Sequence, residues 1–133
     1  MSEPRSLQDH FVVLNSSLEA DAVAVTDSIY AELDEKYDGF AGCSLVAIHS
    51  FEGDWPTWEI HPAGDELVCL LSGSAGMVLA LPEGDEHVRL HEPGSFVVVP
   101  KGTWHTARIS EPTRMLFITP GEGTENREEP ERS

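Results

Sequence analysis

The sequence predicts an all-β fold, an antiparallel sandwich or barrel with one short helix near its N-terminus. Two observations predict it. From Cys43 to Thr119 the chain is a series of short apolar or alternating runs separated by turns rich in Gly and Pro, the pattern of strands folding back on one another. Only Thr26–Tyr37 carries a helical period. A third observation concerns chemistry: in a strand reading, Glu59, His61 and Glu66 fall on one side of adjacent strands, and His105 offers a fourth polar group.

Taken in order, residues 1–9 read as a loosely attached N-terminus. His10 to Asn15 reads as a first strand on the strength of Phe11-Val-Val-Leu, and residues 16–24 suggest no definite element. In Thr26–Tyr37, Ile29, Tyr30, Leu33 and Tyr37 recur at helical spacing opposite Glu32, Asp34, Glu35 and Lys36. Thr26 or Asp27 can cap its start, and Asp38-Gly39 ends it. Its aromatic positions read as core contacts.

Cys43–Phe51 is apolar on both faces, so both faces should be covered. Glu52-Gly53-Asp54 is a turn. Thr57–His61 and Glu66–Leu71 follow as strands, the latter also apolar on both faces, and Met77–Leu81 comes after a tight connection between Gly73 and Gly76. Beyond the Pro82–Asp85 turn come His87–His91, Ser95–Val99, Trp104–Ile109 and Met115–Thr119. After Pro120 the composition turns to Glu and Arg without an apolar anchor. Residues 121–133 therefore read as a flexible acidic tail, or an arm to a neighbour, whose removal should barely change stability. The domain proper is 10–120.

The chain has 133 residues, enough for one domain with a real core, and a formal net charge of −16. That charge argues against nucleic acid and against an anionic membrane surface, since both need clustered Lys and Arg. No apolar run is long enough for a membrane span, and the first residues lack the basic and apolar regions of a secretory signal. The expected location is the cytoplasm. Cys43 and Cys69 are far apart and sit in apolar runs, which suits two packed thiols in a reducing compartment.

Two imidazoles and two carboxylates converging on one point make a plausible divalent-metal site. Trp58 and Trp104 flank these positions and by alternation face away from them, whereas Trp55, in a loop, is placed to line the mouth. His87 and His91 read as surface strand residues, and His10 and His49 carry no clear signal.

The two stretches resemble the paired motifs of the cupin superfamily. The first is usually written G-x5-H-x-H-x(3,4)-E-x6-G. Gly53, His61, Glu66 and Gly73 fit it, with Glu59 where the first His is usual. The second is G-x5-P-x-G-x2-H-x3-N. Gly94, Pro100, Gly102 and His105 fit, with Ile109 where Asn is usual. The wording of both stretches is similar to that of small single-domain bacterial cupins.

The resemblance implies a double-stranded β-helix, a jelly-roll barrel, with the helix packed outside. It implies that His61, Glu66 and His105 are metal ligands and that Glu59 occupies the place of the fourth. The ion would be Fe, Mn, Ni or Zn, which mixed N/O ligation does not separate. Gly53, Gly73, Gly94 and Gly102 would sit where the strands turn sharply, and Ile109 would make part of the cavity apolar. The function expected is a metal-binding small-molecule cupin, an enzyme of dioxygenase or isomerase type acting on a small organic substrate. The alternative is a non-catalytic small-ligand or sensor cupin, or a metal-free one. A homodimer is expected because a barrel buries only one face of its strands.

Overall fold

The computed structural model describes residues 3–130. The ends of the two expected terminal segments, residues 1–2 and 131–133, lie outside the described residues. Among the described residues eleven strands form two antiparallel sheets, accompanied by one helix. The strands are β1 (His10–Leu14), β2 (Ala20–Ala24), β3 (Ser44–Phe51), β4 (Trp58–Ile60), β5 (Glu66–Ser72), β6 (Ala75–Leu81), β7 (Gly84–Leu90), β8 (Phe96–Val99), β9 (Trp104–Arg108), β10 (Thr113–Pro120) and β11 (Glu125–Arg127). The helix α1 is Ile29–Lys36. One sheet runs β2-β1-β3-β10-β5-β8 and the other β11-β4-β9-β6-β7. Neighbours such as β3 and β10, or β4 and β9, are distant in sequence, so the chain winds between the sheets as a jelly roll does.

The alternation of the strands decides what faces inward. In β5, Glu66, Val68 and Leu70 are buried, and in β10, Thr113, Met115 and Phe117 are. Of these, Val68, Leu70, Met115 and Phe117 meet Met77 and Leu79 of β6, Leu90 and Ala107 in the core between the sheets. A second apolar cluster lies where α1 packs on the barrel: Ile29 and Leu33 meet Phe11, Val13, Leu45 and Ala47 of β1 and β3. Fully burying an aliphatic side chain of this kind contributes about 1.5–3 kcal/mol, and this second cluster fixes α1 against β1 and β3.

The helix is shorter than the sequence pattern suggests, starting at Ile29 after Ser28 rather than at Thr26. It stops because Asp38 and Gly39 adopt left-handed backbone conformations, with Gly39 N–H donating to Asp34 O at 2.8 Å. Strand β2 arises in the stretch that suggested no element. Its Ala20–Ala24 sequence is mostly exposed and pairs only with β1 at the sheet edge, so no apolar face marks it. Gly73 is required as expected: its φ is +84°, and a Cβ there would run into the Pro112 carbonyl. Gly53 differs. It has no positive φ, and a Cβ would meet nothing within 4 Å.

The segment expected to be a free tail is part of the barrel as far as it is described. Glu125, Asn126 and Arg127 pair with Ile60, Glu59 and Trp58. Gly121 packs against the Phe40 ring, the Arg127 guanidinium lies 5.7 Å from the centre of the Trp104 ring, and Pro130 is buried. The physical reason is the edge of β4. A short strand paired on one side only, with β9, exposes unpaired backbone groups, and a returning strand satisfies them without any apolar side chain of its own.

Candidate metal centre

The site is assembled by β4, β5 and β9. Glu59 of β4 stands opposite His105 of β9 in register, His61 follows β4 directly, and Glu66 opens β5. His61, Glu66 and His105 are buried, with His105 fully so. Each offers one ligand atom, and these atoms all lie within 4.8 Å of one another. His61 Nε2 is 3.3 Å from Glu66 Oε2, and His105 Nε2 is 3.0 Å from Glu66 Oε1.

Neither contact is oriented as a hydrogen bond. His61 Nε2, Glu66 Oε1 and His105 Nε2 are buried atoms without a hydrogen-bond partner among the described residues. Buried polar atoms left this way cost about 1–3 kcal/mol each. Three of them facing one point are a donor set that a divalent ion satisfies. The residues present therefore fit a metal.

The remaining atoms of the same side chains are held. His105 Nδ1 lies 3.0 Å from Thr103 O. The carbonyl accepts the ring proton there, which leaves Nε2 with its lone pair free. His61 Nδ1 lies 2.8 Å from Thr124 Oγ1, and Glu66 Oε2 accepts from Thr119 Oγ1 at 2.6 Å. Every member of the trio is thus oriented by a second group. Two of those groups, Thr119 and Thr124, lie outside both sequence motifs. No residue type or spacing near the motifs signals them, because they reach the site through β10 and the loop before β11.

Electrostatics agree with the geometry. Burial by itself would raise the Glu66 carboxyl, but the imidazoles of His105 and His61 beside it outweigh burial and hold it at about 2. His105 experiences the reverse: burial lowers it, and Glu66, the Thr103 carbonyl and Glu59 together raise it. Glu59 is raised, first by burial and then by the negative charge of Glu66. Its carboxylate lines the same cavity but does not belong to the group of atoms within 4.8 Å of one another.

A cavity of about 500 Å³ opens onto His61 and Glu66. Trp55 lines it as expected, while Trp58 and Trp104 do not. Ile109 does not line it either. That residue sits in the core, its N–H donating to Asp54 Oδ1 at 2.7 Å, so the expectation that it makes the cavity apolar is corrected. The apolar character comes instead from Phe51, Trp55 and Phe117. Two further lining residues, Tyr30 of α1 and His49 of β3, gave no sequence signal as a pair. Tyr30 Oη lies 3.0 Å from His49 Nε2, a contact between residues 19 apart that only the docking of α1 on β3 creates.

No protein-family model and no curated protein matches the sequence. Solved structures do match. They include a cupin-2 domain protein from Shewanella frigidimarina, 21% identical over 63% of this chain and 71% of that one, with a TM-score of 0.48. An oxalate oxidase is 16% identical over 61% of this chain and 44% of that one, with a TM-score of 0.53. The Bacillus subtilis oxalate decarboxylase, a protein with Mn(II) centres, is 20% identical over 63% of this chain and 23% of that one, with a TM-score of 0.54. The chain has the cupin fold. At these identities the likeness concerns the fold alone, and this cupin barrel spans less than half of either oxalate enzyme.

Proposed function

We propose that this cupin barrel binds a divalent metal and acts on a small organic molecule in the cavity above it. His61, Glu66 and His105 would hold the ion, and Glu59 would approach it as a fourth ligand from the neighbouring strand. The observation that carries the reading is the convergence of three buried, unpartnered ligand atoms. The mixed N/O set suits Fe, Mn, Ni or Zn. When bound, such an ion would polarise a substrate oxygen or activate water or dioxygen, the chemistry of a dioxygenase- or isomerase-type enzyme.

The protein's own residues supply the rest. Thr103 and Thr124 orient the two imidazoles, Thr119 orients Glu66, and Trp55, Phe51 and Phe117 give the cavity apolar lining. Glu59, raised by burial, would exchange a proton with a bound molecule or complete the ligand set.

Two further features belong to this reading. Cys43 and Cys69 are both free thiols, which supports a cytoplasmic setting; no helix among the described residues is long and apolar enough to cross a membrane. A homodimer is supported by the outer face of the six-stranded sheet. There Val46, Ile118, Leu67 and Val98 are successive cross-strand neighbours, and Phe96 is 59% exposed.

Elemental analysis of protein purified without a histidine tag, followed by titration of the chelated protein with divalent metals, tests the central claim. Stoichiometric binding that Glu66→Gln abolishes is expected. Failure to bind any divalent ion would remove the reading. Turnover of a substrate that disappears on chelation would separate the enzyme from a non-catalytic sensor.

A further inference from the structure

Part of the cavity wall is the C-terminal segment: Gly121, Thr124 and Asn126 all line it. This wall is lightly held. Glu125, Asn126 and Arg127 of β11 are exposed and pair with β4 alone, at the edge of the sheet. Thr57 Oγ1 donates to Asn126 Oδ1 at 3.3 Å, and the Arg127 guanidinium lies over the Trp104 ring. Residues 121–127 carry no apolar side chain. The chain turns into β11 at Gly123, whose φ is +75°, and Thr124 N–H closes that turn by donating to Gly121 O at 3.2 Å. A segment with few apolar contacts and exposed backbone hydrogen bonds opens locally, without unfolding of the domain.

This wall reaches the candidate centre through Thr124 Oγ1, 2.8 Å from His61 Nδ1. The other ring nitrogen, Nε2, is buried without a hydrogen-bond partner among the described residues. An ion held at Nε2 leaves the ring proton on Nδ1, so His61 donates to Thr124. The positive charge of the ion makes that N–H a charge-assisted donor, roughly twice as strong as a neutral one. The bond exists only while the segment is docked. Ion binding and docking therefore favour each other, by the same factor in both directions.

Resting on the reading that His61, Glu66 and His105 hold a divalent ion, we propose that segment 121–127 is a strap coupled to that ion. Filling the centre closes the strap on the cavity. Emptying it loosens the strap, which draws Thr124 and Asn126 out of the wall and uncovers the edge of β4. The cavity is thus firmest around a loaded centre.

The test is hydrogen exchange, read by mass spectrometry on the full chain, chelated and saturated with zinc. Zinc affinity is titrated separately by calorimetry. The orienting partner of a metal-bound imidazole is worth about 10–100-fold in affinity, so zinc should slow exchange of segment 121–127 by that same factor. Strand β2 is the control. It too is an edge strand, paired only with β1 in the other sheet, and its exchange should not change. Thr124→Val keeps the shape and loses the hydroxyl. It should still bind zinc, more weakly, and at saturation show no slowing of the strap; Thr124→Ser should restore the slowing. Zinc binding without slowing of 121–127, equal slowing of β2, or full slowing in Thr124→Val would overturn the strap. Failure to bind zinc at all would remove the metal reading and the strap with it.

Discussion

Thr124 Oγ1 sits 2.8 Å from His61 Nδ1, joining residues 63 positions apart. The contact ties the end of the chain to the candidate metal centre. Groups that orient a metal-bound imidazole typically matter about 10–100-fold in metal affinity. Truncation after Pro120 should therefore lower zinc affinity within that range and lower the melting temperature as well, because β11 and the Gly121–Phe40 contact go with it. Thr124→Ala in the full chain should reproduce the affinity loss with little change in melting. A truncated protein with unaltered affinity and melting would show that the strand adds nothing.

Glu59 is the departure from the usual first motif that keeps a ligand's chemistry. Glu59→Ala should weaken metal binding by about 10–100-fold. Glu59→His should retain an ion with a changed order of metal preference, since imidazole replaces a charged oxygen. Competition titrations with several divalent ions read both effects. Unchanged affinity in Glu59→Ala would leave His61, Glu66 and His105 as the whole set.

The effect of metal on stability should depend on pH in a defined direction. The folded protein raises His105 above 6.5. Without metal, the stability this contributes is fully present below 6.5 and lost as pH rises through the raised value. Glu66, held at about 2, is ionised across this range; its contribution is lost only as pH falls from the ordinary 4.5 towards that value. A metal requires the neutral imidazole, so protons compete with it. The gain in melting temperature on adding zinc should grow from about pH 6 to about pH 8. A gain that shrinks over this window would show that His105 is not a ligand.

The outer face of the six-stranded sheet should pair with a second copy. Phe96 and Val98 are its most exposed apolar side chains, on the edge strand β8. A stable interface buries about 1,200–2,000 Å² in total, and a charge at its middle is poorly tolerated. Light scattering should give a dimer mass for the native protein and a monomer mass for Phe96→Glu. A monomer in the native protein would end the proposal.

Much of the barrel was legible because its strands announce themselves by alternation. Glu66, Val68 and Leu70 turn inward together, and the spacing of His61, Glu66 and His105 already implied their convergence. What was illegible has a common cause. β2 and β11 are edge strands, one with only Val23 larger than alanine among its apolar residues and the other wholly polar, held by backbone pairing that composition does not register. The Tyr30–His49 contact and the hydroxyls of Thr119 and Thr124 depend on tertiary docking. Ile109 misled because a motif position says which strand a residue occupies, not which side of the barrel end it meets.

The cavity draws on several parts of the chain. Glu59, His61 and Glu66 lie within the paired motifs and His49, Phe51 and Phe117 on β3 and β10, whereas Tyr30, Asp34, Phe40, Thr124 and Asn126 come from α1, the turn after it and the C-terminal segment. Only Thr124 among the latter touches the trio. The selectivity of this barrel is thus separable from its ion-holding part. Exchanging the helix and turn around residues 30–40 would re-tailor which molecules are admitted while the histidines keep their seats, which makes this segment the natural place to redesign the protein for a new ligand.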